Sequence, residues 1–491
     1  MRQALTEALL LSIAGALAGC ALAEGLLRFF IAIAPATIPY LDQTRLDLRI
    51  VSATVVLSII CGALFGLAPA MQKPGEGMLS GRSFTAISHA VVRQWLVVAQ
   101  IAASMVLLVA AILLLRSFHN LEDQKLGMRT DNTLTASVTL GEHTYPTVAS
   151  RLAFFQQLTT RLKFGPGISV VSVSDSIPPG GGGFGGRLDE IVVAGRPAPR
   201  ISGVVASRLV SPEYFRALDI SIIQGAGFRE EDMTASHRTI VLSKRLAGLY
   251  FPNTNPIGQQ MRFGKYDPSE PWSTIVGVAA DVKNGGLTKQ EVPEYYQLRR
   301  NLADDWDVGG TFGKTSVVVI RSSLPADQTS RWIRSQVAAL DPTLPVDIAT
   351  LRQRVAKLAD QPRFQTTLVS FFAAAGLVLA MIGLYGVIAY LVAQRTQEIG
   401  VRMALGADKG DILRLVMGRS LRLIVSGIAV GLVAALAATR VLSSLLYSIG
   451  PHDPVTFGLV TLLLVLVAIV AALIPARSAT SVNPIVALRC D

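Results

Sequence analysis

The stretch FQTTLVSFFAAAGLVLAMIGLYGVIAYLVAQ, from Phe364 to Gln394, contains no Asp, Glu, Lys or Arg. It is longer than the about 20 apolar residues that a helix needs to cross the hydrocarbon core of a membrane. The whole chain of 491 residues has the same character, since 51% of its residues are hydrophobic and only 16% are charged. A soluble globular domain is normally about 25% charged. The sequence therefore predicts an integral membrane protein.

Five other segments are also long and apolar enough to predict spans. Ala8 to Ala34 is interrupted by Glu24 and Arg28, which are four residues apart and could pair on one helix face. The remaining segments contain no charged residue. We predict six spans in all. They are Ala8 to Ala34 and five uncharged segments, which are Ile50 to Gln72, Gln94 to Leu115, Phe364 to Gln394, Leu423 to Thr439 and Pro454 to Ala476.

Between Ser117 and Pro362 the chain becomes more polar, over a region of roughly 245 residues, large enough for one or two domains. Both ends of this region show a strand pattern, a helix pattern and a second strand pattern. At the first end these segments are 134–140, 148–164 and 168–175, and at the second end they are 315–321, 327–340 and 344–351. The order predicts a large α+β domain, in which a split subdomain carries another subdomain inserted between its halves.

The orientation in the membrane follows from the Lys and Arg residues near the spans, which favour the cytoplasmic side. The connection after the fifth predicted span contains only Arg440. The segment before that span is much more basic and contains Arg395, Arg402, Lys409, Arg414, Arg419 and Arg422. This asymmetry predicts that both termini are cytoplasmic and that the region 117–362 is extracytoplasmic.

Two hairpins of the sequence have the features of an internal repeat. The runs IICGALFGLAPAMQ, residues 59–72, and LVAIVAALIPARSA, residues 466–479, both end with small residues, Pro, Ala and a polar exit. Each run belongs to a pair of spans joined by a short connection that contains Pro, PATIPYLDQTR in one and SIGPHDP in the other. We interpret the hairpins as copies of one unit.

The sequence gives little support to an enzyme or a nucleic-acid-binding protein. The five histidines are scattered without metal-ligand spacing, and the net charge of +11 is explained by basic residues flanking the spans. The Gly-rich run PPGGGGFGGR, Pro178 to Arg187, lacks the Lys-Ser/Thr of a phosphate-binding P-loop. We interpret that run as a flexible outer loop. If this protein uses ATP, a partner must hydrolyse it.

The segment RTQEIGVRMALGADKGDIL, Arg395 to Leu413, follows the fourth predicted span. Glu398 and Arg402 are four residues apart with the acid first, which is the favourable order on a helix. Gly406 suits the end of this helix, and Asp408 is placed to cap the next one. The pattern predicts either a rigid cytoplasmic protrusion or an amphipathic helix lying under the membrane.

A family resemblance bears on these alternatives. The string RTQEIGVRMALGADKGDILRLV, the hairpin after it and the ending PARSATSVNPIVALR closely resemble the C-terminal permease domain of MacB- and FtsX-type ABC transporters. In the outer region, SPEYFRALDISIIQGAGF, FPNTNPIGQQMRFG and IVGVAADVKNGGL resemble the MacB-type periplasmic core domain. The resemblance covers essentially the whole chain and is strongest to the duplicated permeases of acidobacterial type.

The resemblance implies a permease that transmits motion from an ABC ATPase in the cytoplasm to the periplasmic domain. The chain itself would bind no cofactor, because ATP and Mg are used by the partner ATPase. The stalk would consist of the third span from Val91 and the fourth span from Phe364. The helix that contacts the ATPase would comprise Glu398, Ile399, Gly400, Val401, Arg402, Met403, Ala404, Leu405, Gly406 and Ala407.

On this basis we expect a helical bundle of six spans with a MacB-type α+β domain, located in the bacterial inner membrane. Residues 1–73 would be a two-span hairpin from a partial first permease domain. The parts that follow in chain order would be a cytoplasmic linker, 74–92, the stalk helix, 93–116, the periplasmic domain, 117–362, and the C-terminal permease domain, 363–491.

A duplicated permease would begin with a further span, outer domain and copy of the EIGVR segment. Either this sequence is a piece of such a permease, or a separate chain supplies the rest. We expect a second permease half as a partner in a homo- or heterodimer, besides the ATPase, membrane lipid and periplasmic or outer-membrane components. No nucleic acid is expected. The function implied is the export or extrusion of a drug, a peptide or a lipoprotein. The alternative is an FtsX-like signalling scaffold that controls an extracytoplasmic hydrolase.

Overall fold

The computed structural model describes residues 2–35, 44–45, 47–70, 84–180, 183–196, 201–235, 237–263, 271–288, 291–300, 314–393 and 408–479. The chain divides into two compact units. One unit combines Met1–Glu122 with Asp360–Asp491, and the other is Asp123–Ala359. The first is helical, and the second is built around a β-sheet.

Long apolar helices form the first unit. They are α1 (Arg2–Ile33), α2 (Leu48–Ala70), α3 (Phe84–Glu122), α8 (Leu351–Ala393), α9 (Lys409–Leu442) and α10 (Pro454–Ala479). Among the described residues, five of them are long and apolar enough to cross a membrane: α1, α3, α8, α9 and α10. In α2 the stretch Leu48–Ile60 is apolar but shorter. The predicted combination of membrane helices with a separate α+β domain is confirmed.

The pairing predicted for the two charged residues in the first span is also confirmed. Arg28 Nε lies 2.7 Å from Glu24 Oε1 on α1. Residues four apart are neighbours on a helix surface, so this pair depends on local geometry alone.

Twelve described strands form one sheet in the second unit. They are β1 (Thr133–Thr139), β2 (Ile168–Ser174), β3 (Gly183–Arg187), β4 (Val192–Val193), β5 (Val204–Val210), β6 (Ile222–Gly225), β7 (Arg238–Ser243), β8 (Gln260–Arg262), β9 (Ser273–Ala279), β10 (Glu294–Leu298), β11 (Thr315–Ser322) and β12 (Val346–Thr350). The order along the sheet is β12-β1-β11-β2-β5-β10-β7-β9-β8-β4, while β3 pairs with β5 and β6 pairs with β9.

The split subdomain is confirmed by this strand order. β1 pairs antiparallel with both β11 and β12, and β2 pairs antiparallel with β11, so the two ends of the region form one part of the sheet. Helices α4 (Val148–Lys163) and α7 (Ala326–Leu340) belong to this part. Phe154, Leu158 and Leu162 of α4 are buried at helical spacing and share a core with these strands.

The inserted part contains β3 to β10 with two short helices, α5 (Tyr214–Leu218) and α6 (Lys244–Tyr250). β10 is parallel to β5 and antiparallel to β7, and β7 is parallel to β9. Gly277 is required where β9 meets the chain after β6, because a Cβ there would lie 2.1 Å from the carbonyl oxygen of Ala226.

The interpretation of the whole Gly-rich run as a flexible loop was wrong. Residues Gly183–Arg187 form β3, which pairs antiparallel with β5 from Gly183 opposite Ser207 to Arg187 opposite Val204. The register shifts between Phe184 and Gly186, where Gly186 has φ 119°, so glycine permits an irregularity inside a paired strand. Pairing with a distant strand outweighed the weak local strand propensity of glycine.

Candidate functional site

The proposed ATPase-contacting residues, Glu398 to Ala407, lie outside the described residues. The structure describes the helices on both sides of them, because α8 ends at Ala393 and α9 begins at Lys409. Asp408 occupies the N-cap position of α9, as predicted, with extended backbone angles but no capping hydrogen bond from its side chain. From there α9 continues without interruption into the fifth predicted span.

Helix α9 packs closely against α3 through two glycines that are four residues apart. A Cβ at Gly427 would lie 2.8 Å from Cβ of Ile101, and a Cβ at Gly431 would lie 2.8 Å from Cβ of Met105. Small residues at this spacing allow helix backbones in a membrane to approach each other closely. In this contact the large side chains of Ile101 and Met105 on α3 pack directly against Gly427 and Gly431 of α9.

This contact predicts the effect of enlarging Gly431. Gly431→Leu should lower the free energy of unfolding of the helical unit by about 1–3 kcal/mol, because overpacking forces the helices apart. The measurement is thermal unfolding of the full-length chain in detergent. Gly418→Leu on the same helix is the matched control, since a Cβ at Gly418 would meet no atom within 4 Å. Equal losses for both variants would contradict the contact.

Helix α8 meets α3 in a similar way. The hydroxyl of Ser104 donates a hydrogen bond of 2.8 Å to the carbonyl oxygen of Gly376. A Cβ at Gly383 would lie 2.2 Å from Oε1 of Gln100. Polar side chains of α3 therefore contact α8 at two glycines, and one of these contacts is a hydrogen bond inside the membrane-spanning part.

At the end of α3 that leads into the sheet unit, two residues attach it to the connection between α9 and α10. Arg116 pairs with Asp453, and its Nη1 donates to Oγ1 of Thr456 at 3.0 Å. Ser117 Oγ accepts a hydrogen bond of 2.7 Å from the backbone N–H of Tyr447. Asp453 Oδ2 also accepts from the backbone N–H of Thr456 at 2.9 Å, which caps α10. We call Arg116, Ser117, Tyr447, Asp453 and Thr456 the clasp.

The clasp should contribute stability that depends on pH. The hydrogen bond from the Thr456 side chain, together with Arg116, lowers the pKa of Asp453. A depressed carboxyl pKa stabilises the folded state above the ordinary value of about 3.9, and this contribution is lost as the pH falls through the lower folded pKa. Asp453→Ala should cost about 1 kcal/mol near pH 7, as loss of a helix cap does. Thermal unfolding of both proteins in detergent should show that the difference shrinks at acid pH, and a constant difference would contradict the ionised clasp.

A group of polar side chains lies inside the sheet unit, and all of them are buried except Ser176, which is half-buried. Arg208 Nε donates to Glu294 Oε1 at 2.8 Å, and the two side chains are 0% and 1% exposed. Glu294 Oε2 accepts from Tyr296 at 3.0 Å and from Asn284 at 3.0 Å, while Arg208 Nη1 donates to Ser176 at 2.9 Å. Because both carboxylate oxygens accept hydrogen bonds within the protein, we assign this group a structural role.

Sequence reasoning missed this buried group. Its signal was weak, since Arg208 is a single charged residue in the apolar strand VVASRLV, and Glu294 begins the strand EYYQL. These two strands, β5 and β10, pair with each other in parallel, with Glu294 opposite Ala206 and Tyr296 opposite Arg208. Within the part of the chain that the structure describes, no group of three or more His, Cys, Asp or Glu residues could hold a metal ion.

Two family models match separate parts of the chain. Residues 95–335 match the MacB-like periplasmic core domain, and residues 370–484 match the FtsX-like permease C-terminal domain. The chain belongs to the MacB/FtsX-like family of ABC transporter permeases. The family resemblance read from the sequence is thereby confirmed. In this MacB/FtsX-like permease the sheet unit is the periplasmic domain, and the apolar helices make it a multi-pass protein of the inner membrane.

Among curated relatives, this MacB/FtsX-like permease is similar to a probable syringafactin export ATP-binding/permease protein of Pseudomonas syringae pv. tomato. The two are 25% identical over 299 residues, which cover 57% of this chain and 42% of the relative. A macrolide export ATP-binding/permease protein, MacB, of Bartonella quintana is 25% identical over 289 residues, which cover 57% of this chain and 42% of that relative. The chain thus spans 42% of the length of these relatives.

A solved structure also matches part of the permease. The periplasmic region of MacB from Actinobacillus actinomycetemcomitans is 17% identical, with a TM-score of 0.32. The match covers 48% of this chain and 95% of that one.

Proposed function

We propose that this chain is the permease subunit of a mechanotransmission-type ABC exporter. ATP hydrolysis by a separate ATPase subunit would change the conformation of the periplasmic domain and so drive export of a substrate. The observation that carries the proposal is the packing of α9 on α3 through Gly427 and Gly431. Helix α9 begins directly after the ATPase-contacting residues, and α3 ends at Glu122, where the periplasmic domain begins in the chain.

The geometry of the helices suits transmission of a displacement. Close packing resists sliding, because protein interiors are dense and deform little. Along its length α3 is held by α9 at two glycines, by α8 at Gly376 and by the clasp. A movement imposed on the first turn of α9 would therefore displace α3 as well, and α3 is the helix through which the chain enters the periplasmic domain.

The ATPase would be a separate subunit that contacts Glu398 to Ala407. The sequence of this chain contains no P-loop motif, so ATP and Mg belong to the partner in this proposal. The curated relatives are named ATP-binding/permease proteins, and this chain matches 42% of their length. A second permease half and, outside the membrane, periplasmic or outer-membrane components would complete the assembly.

The proposed orientation places both termini in the cytoplasm, and it can be tested by labelling. Gly410→Cys near the start of α9 should react with a membrane-impermeant maleimide only after the cells are opened. Ser335→Cys on the periplasmic domain should react in cells with a permeable outer membrane. Both residues are exposed in the structure. Labelling of Gly410→Cys from outside would contradict the proposed orientation.

The cargo class proposed is a drug, a peptide or a lipoprotein. The curated relatives are named for the export of macrolide and of syringafactin, and these names support an export role for this chain. The spans Gln94–Leu115 and Phe364–Gln394 contain no charged residue, which favours action on a cargo outside the bilayer over a polar path through these helices.

Reconstitution tests the proposed function. The full-length chain and the ABC ATPase of its host should be purified together and placed in proteoliposomes. We expect the ATPase activity to change by several fold when the permease is present. Activation of a cell-wall hydrolase by the assembly, with no movement of a macrolide, a peptide or a lipoprotein, would favour the signalling-scaffold alternative. No physical association with the ATPase would overturn the proposal.

A further inference from the structure

A small groove opens on the surface of the periplasmic domain, beside the end of α4 and along one side of α7. Its apolar walls are formed by Pro166, Ile168, Leu324 and Trp332, and its volume is about 390 Å³. Ligand sites in proteins have volumes of about 300–1,000 Å³ and mostly apolar walls with a few polar groups. The groove therefore has the size of a site for a small ligand or a short peptide.

An exposed aromatic side chain stands at the rim of this groove. Phe164 is 83% exposed, more than any other large hydrophobic side chain in the described part of the chain. It directly follows the last residue of α4 and is two residues before Pro166. A phenylalanine ring is stabilised by leaving water, so an exposed ring beside apolar walls indicates a surface that a ligand covers.

The turn that carries Phe164 is held in place on both sides. Gly165 is packed so closely against the indole of Trp332 that a Cβ there would collide with Nε1. Gly167 has a φ of 68°, and its carbonyl oxygen accepts a hydrogen bond of 2.9 Å from the backbone N–H of Ser323. The ring is therefore presented from a fixed turn, which lowers the entropy that a ligand must overcome.

The surroundings of the groove are positively charged. Arg161 and Lys163 are exposed in the last turn of α4, and Arg331 and Arg334 are exposed on α7. Asp327, whose carboxylate lies 3.2 Å from Arg331, is the only acidic residue in the sequences of these two helices. This charge favours a negatively charged occupant. A second copy of this chain would bring the same cations and be repelled.

Polar side chains decide between a peptide and an acyl chain as the occupant. Gln328 and Ser335 line the groove together with its apolar walls. A peptide backbone offers N–H and C=O groups that can replace the water on these side chains. An acyl chain would cover them without providing hydrogen bonds, which is costly.

We propose that this groove receives a short acidic peptide with a large apolar side chain, as cargo of the exporter. This inference rests on the proposed function and specifies the cargo class within it. The apolar side chain of the peptide lies against Phe164 and Trp332, and its carboxylates face Arg331. Its backbone bonds to Gln328 and Ser335.

The test measures peptide binding by the full-length chain in nanodiscs of zwitterionic lipid, without the ATPase. The probe is the acetylated peptide EDFLE with a fluorescent label, and binding is followed by fluorescence anisotropy. The competitors are unlabelled EDFLE, the charge-reversed peptide KKFLK, the peptide EDAAE and dodecanoate. We expect EDFLE to displace the probe at a concentration about tenfold lower than KKFLK or EDAAE, because each of these lacks one of the two attractions.

Variants of the chain locate the binding surface. Phe164→Ala should weaken binding about tenfold, as truncation of a central aromatic contact does. Arg331→Glu should weaken it about fivefold at low salt, since this cation is 73% exposed. The matched controls Ile223→Ala and Arg216→Glu change an exposed apolar residue and an exposed cation outside the groove, and both should bind normally.

All of these side chains are exposed, so thermal unfolding of the variants should match that of the unaltered chain. Ser335→Trp supplies an independent variant, because it fills the groove from an exposed position on α7. It should abolish binding of the probe. Normal binding by Ser335→Trp would contradict the proposed site.

Other results would also overturn the inference. They are no binding of EDFLE, equal competition by KKFLK, and equal weakening in the control variants. Displacement by dodecanoate but not by unlabelled EDFLE would identify an acyl-chain site instead of a peptide site.

The reconstituted assembly separates this inference from the proposed function. EDFLE should raise its ATPase activity, and Phe164→Ala should remove that rise. ATPase coupling without peptide binding, or with bound peptide that leaves the activity unchanged, would overturn the cargo site alone. Peptide binding by a chain that does not associate with the ATPase would overturn the proposed function and the role as cargo, while the groove would remain a peptide site.

Discussion

Arg208→Met is expected to lower the free energy of unfolding of the periplasmic domain by about 3–5 kcal/mol, the usual cost of breaking a buried ion pair. The substitution leaves the Glu294 carboxylate buried without its cationic partner. Both side chains are almost completely inaccessible, at 0% and 1% exposed, so water cannot compensate the remaining charge. A loss of this size is a large part of the stability of a typical domain, which is about 5–15 kcal/mol.

Urea unfolding of the full-length chain in detergent, followed by tryptophan fluorescence, measures this effect, since Trp332 lies in α7 of the periplasmic domain. The double variant Arg208→Met with Glu294→Met should recover most of the loss, because both charges are then removed. Arg331→Met is the matched control. Its partner Asp327 is 3.2 Å away, but the side chains are 73% and 66% exposed, so the expected change is below about 1 kcal/mol. A double variant as unstable as Arg208→Met would contradict a dominant role for the unpaired charge.

The second large effect is expected at the ATPase contact. Arg402→Glu together with Gly406→Pro should abolish stimulation of the ATPase and its co-purification with the permease. The first change places two acids four residues apart, which destabilises the predicted helix. The second fixes φ near −65° at a position where glycine is expected to end the helix in a left-handed conformation.

Membrane insertion and thermal unfolding should remain unchanged in this double variant. The altered segment is short and lies between the fourth and fifth predicted spans, and the spans carry the hydrophobic signal for insertion. Arg414→Gln is a suitable control, since Arg414 is an exposed cation of α9 that lies outside the proposed contact. Normal co-purification of the ATPase with the double variant would exclude Glu398 to Ala407 as the principal contact.

Features that depend on neighbouring residues were predictable from the sequence. The strands β1, β2 and β11 have alternating or continuous apolar patterns, and the Glu24–Arg28 pair needs only the spacing of one helix. Contacts between distant residues were not predictable. Arg208 and Glu294 are separated by 86 residues and Arg116 and Asp453 by 337, so no local pattern links them.

The strand β3 and the glycine contacts of α9 show the same limit. Glycine supplies no side chain whose pattern could reveal a strand or a face, and only the partner strand or helix gives it a defined role. Gly15 of α1 and Gly427 of α9 both lie inside apolar helices, yet a Cβ at Gly15 would meet no described atom within 4 Å, whereas a Cβ at Gly427 would lie 2.8 Å from Cβ of Ile101. For the candidate site, sequence predicted the start of α9 near Asp408 but not the packing of α9 on α3 or the clasp.

Transmission of motion from the ATPase to the periplasmic domain is the central claim. It is tested most directly by spin labels at Gly410→Cys and Ser335→Cys in a cysteine-free, full-length chain reconstituted with the ATPase. Double electron–electron resonance should show a different distance distribution with ATP and vanadate than without nucleotide, and no difference in the Arg402→Glu, Gly406→Pro variant. Unchanged distances in an assembly that hydrolyses ATP at its full rate would contradict the claim.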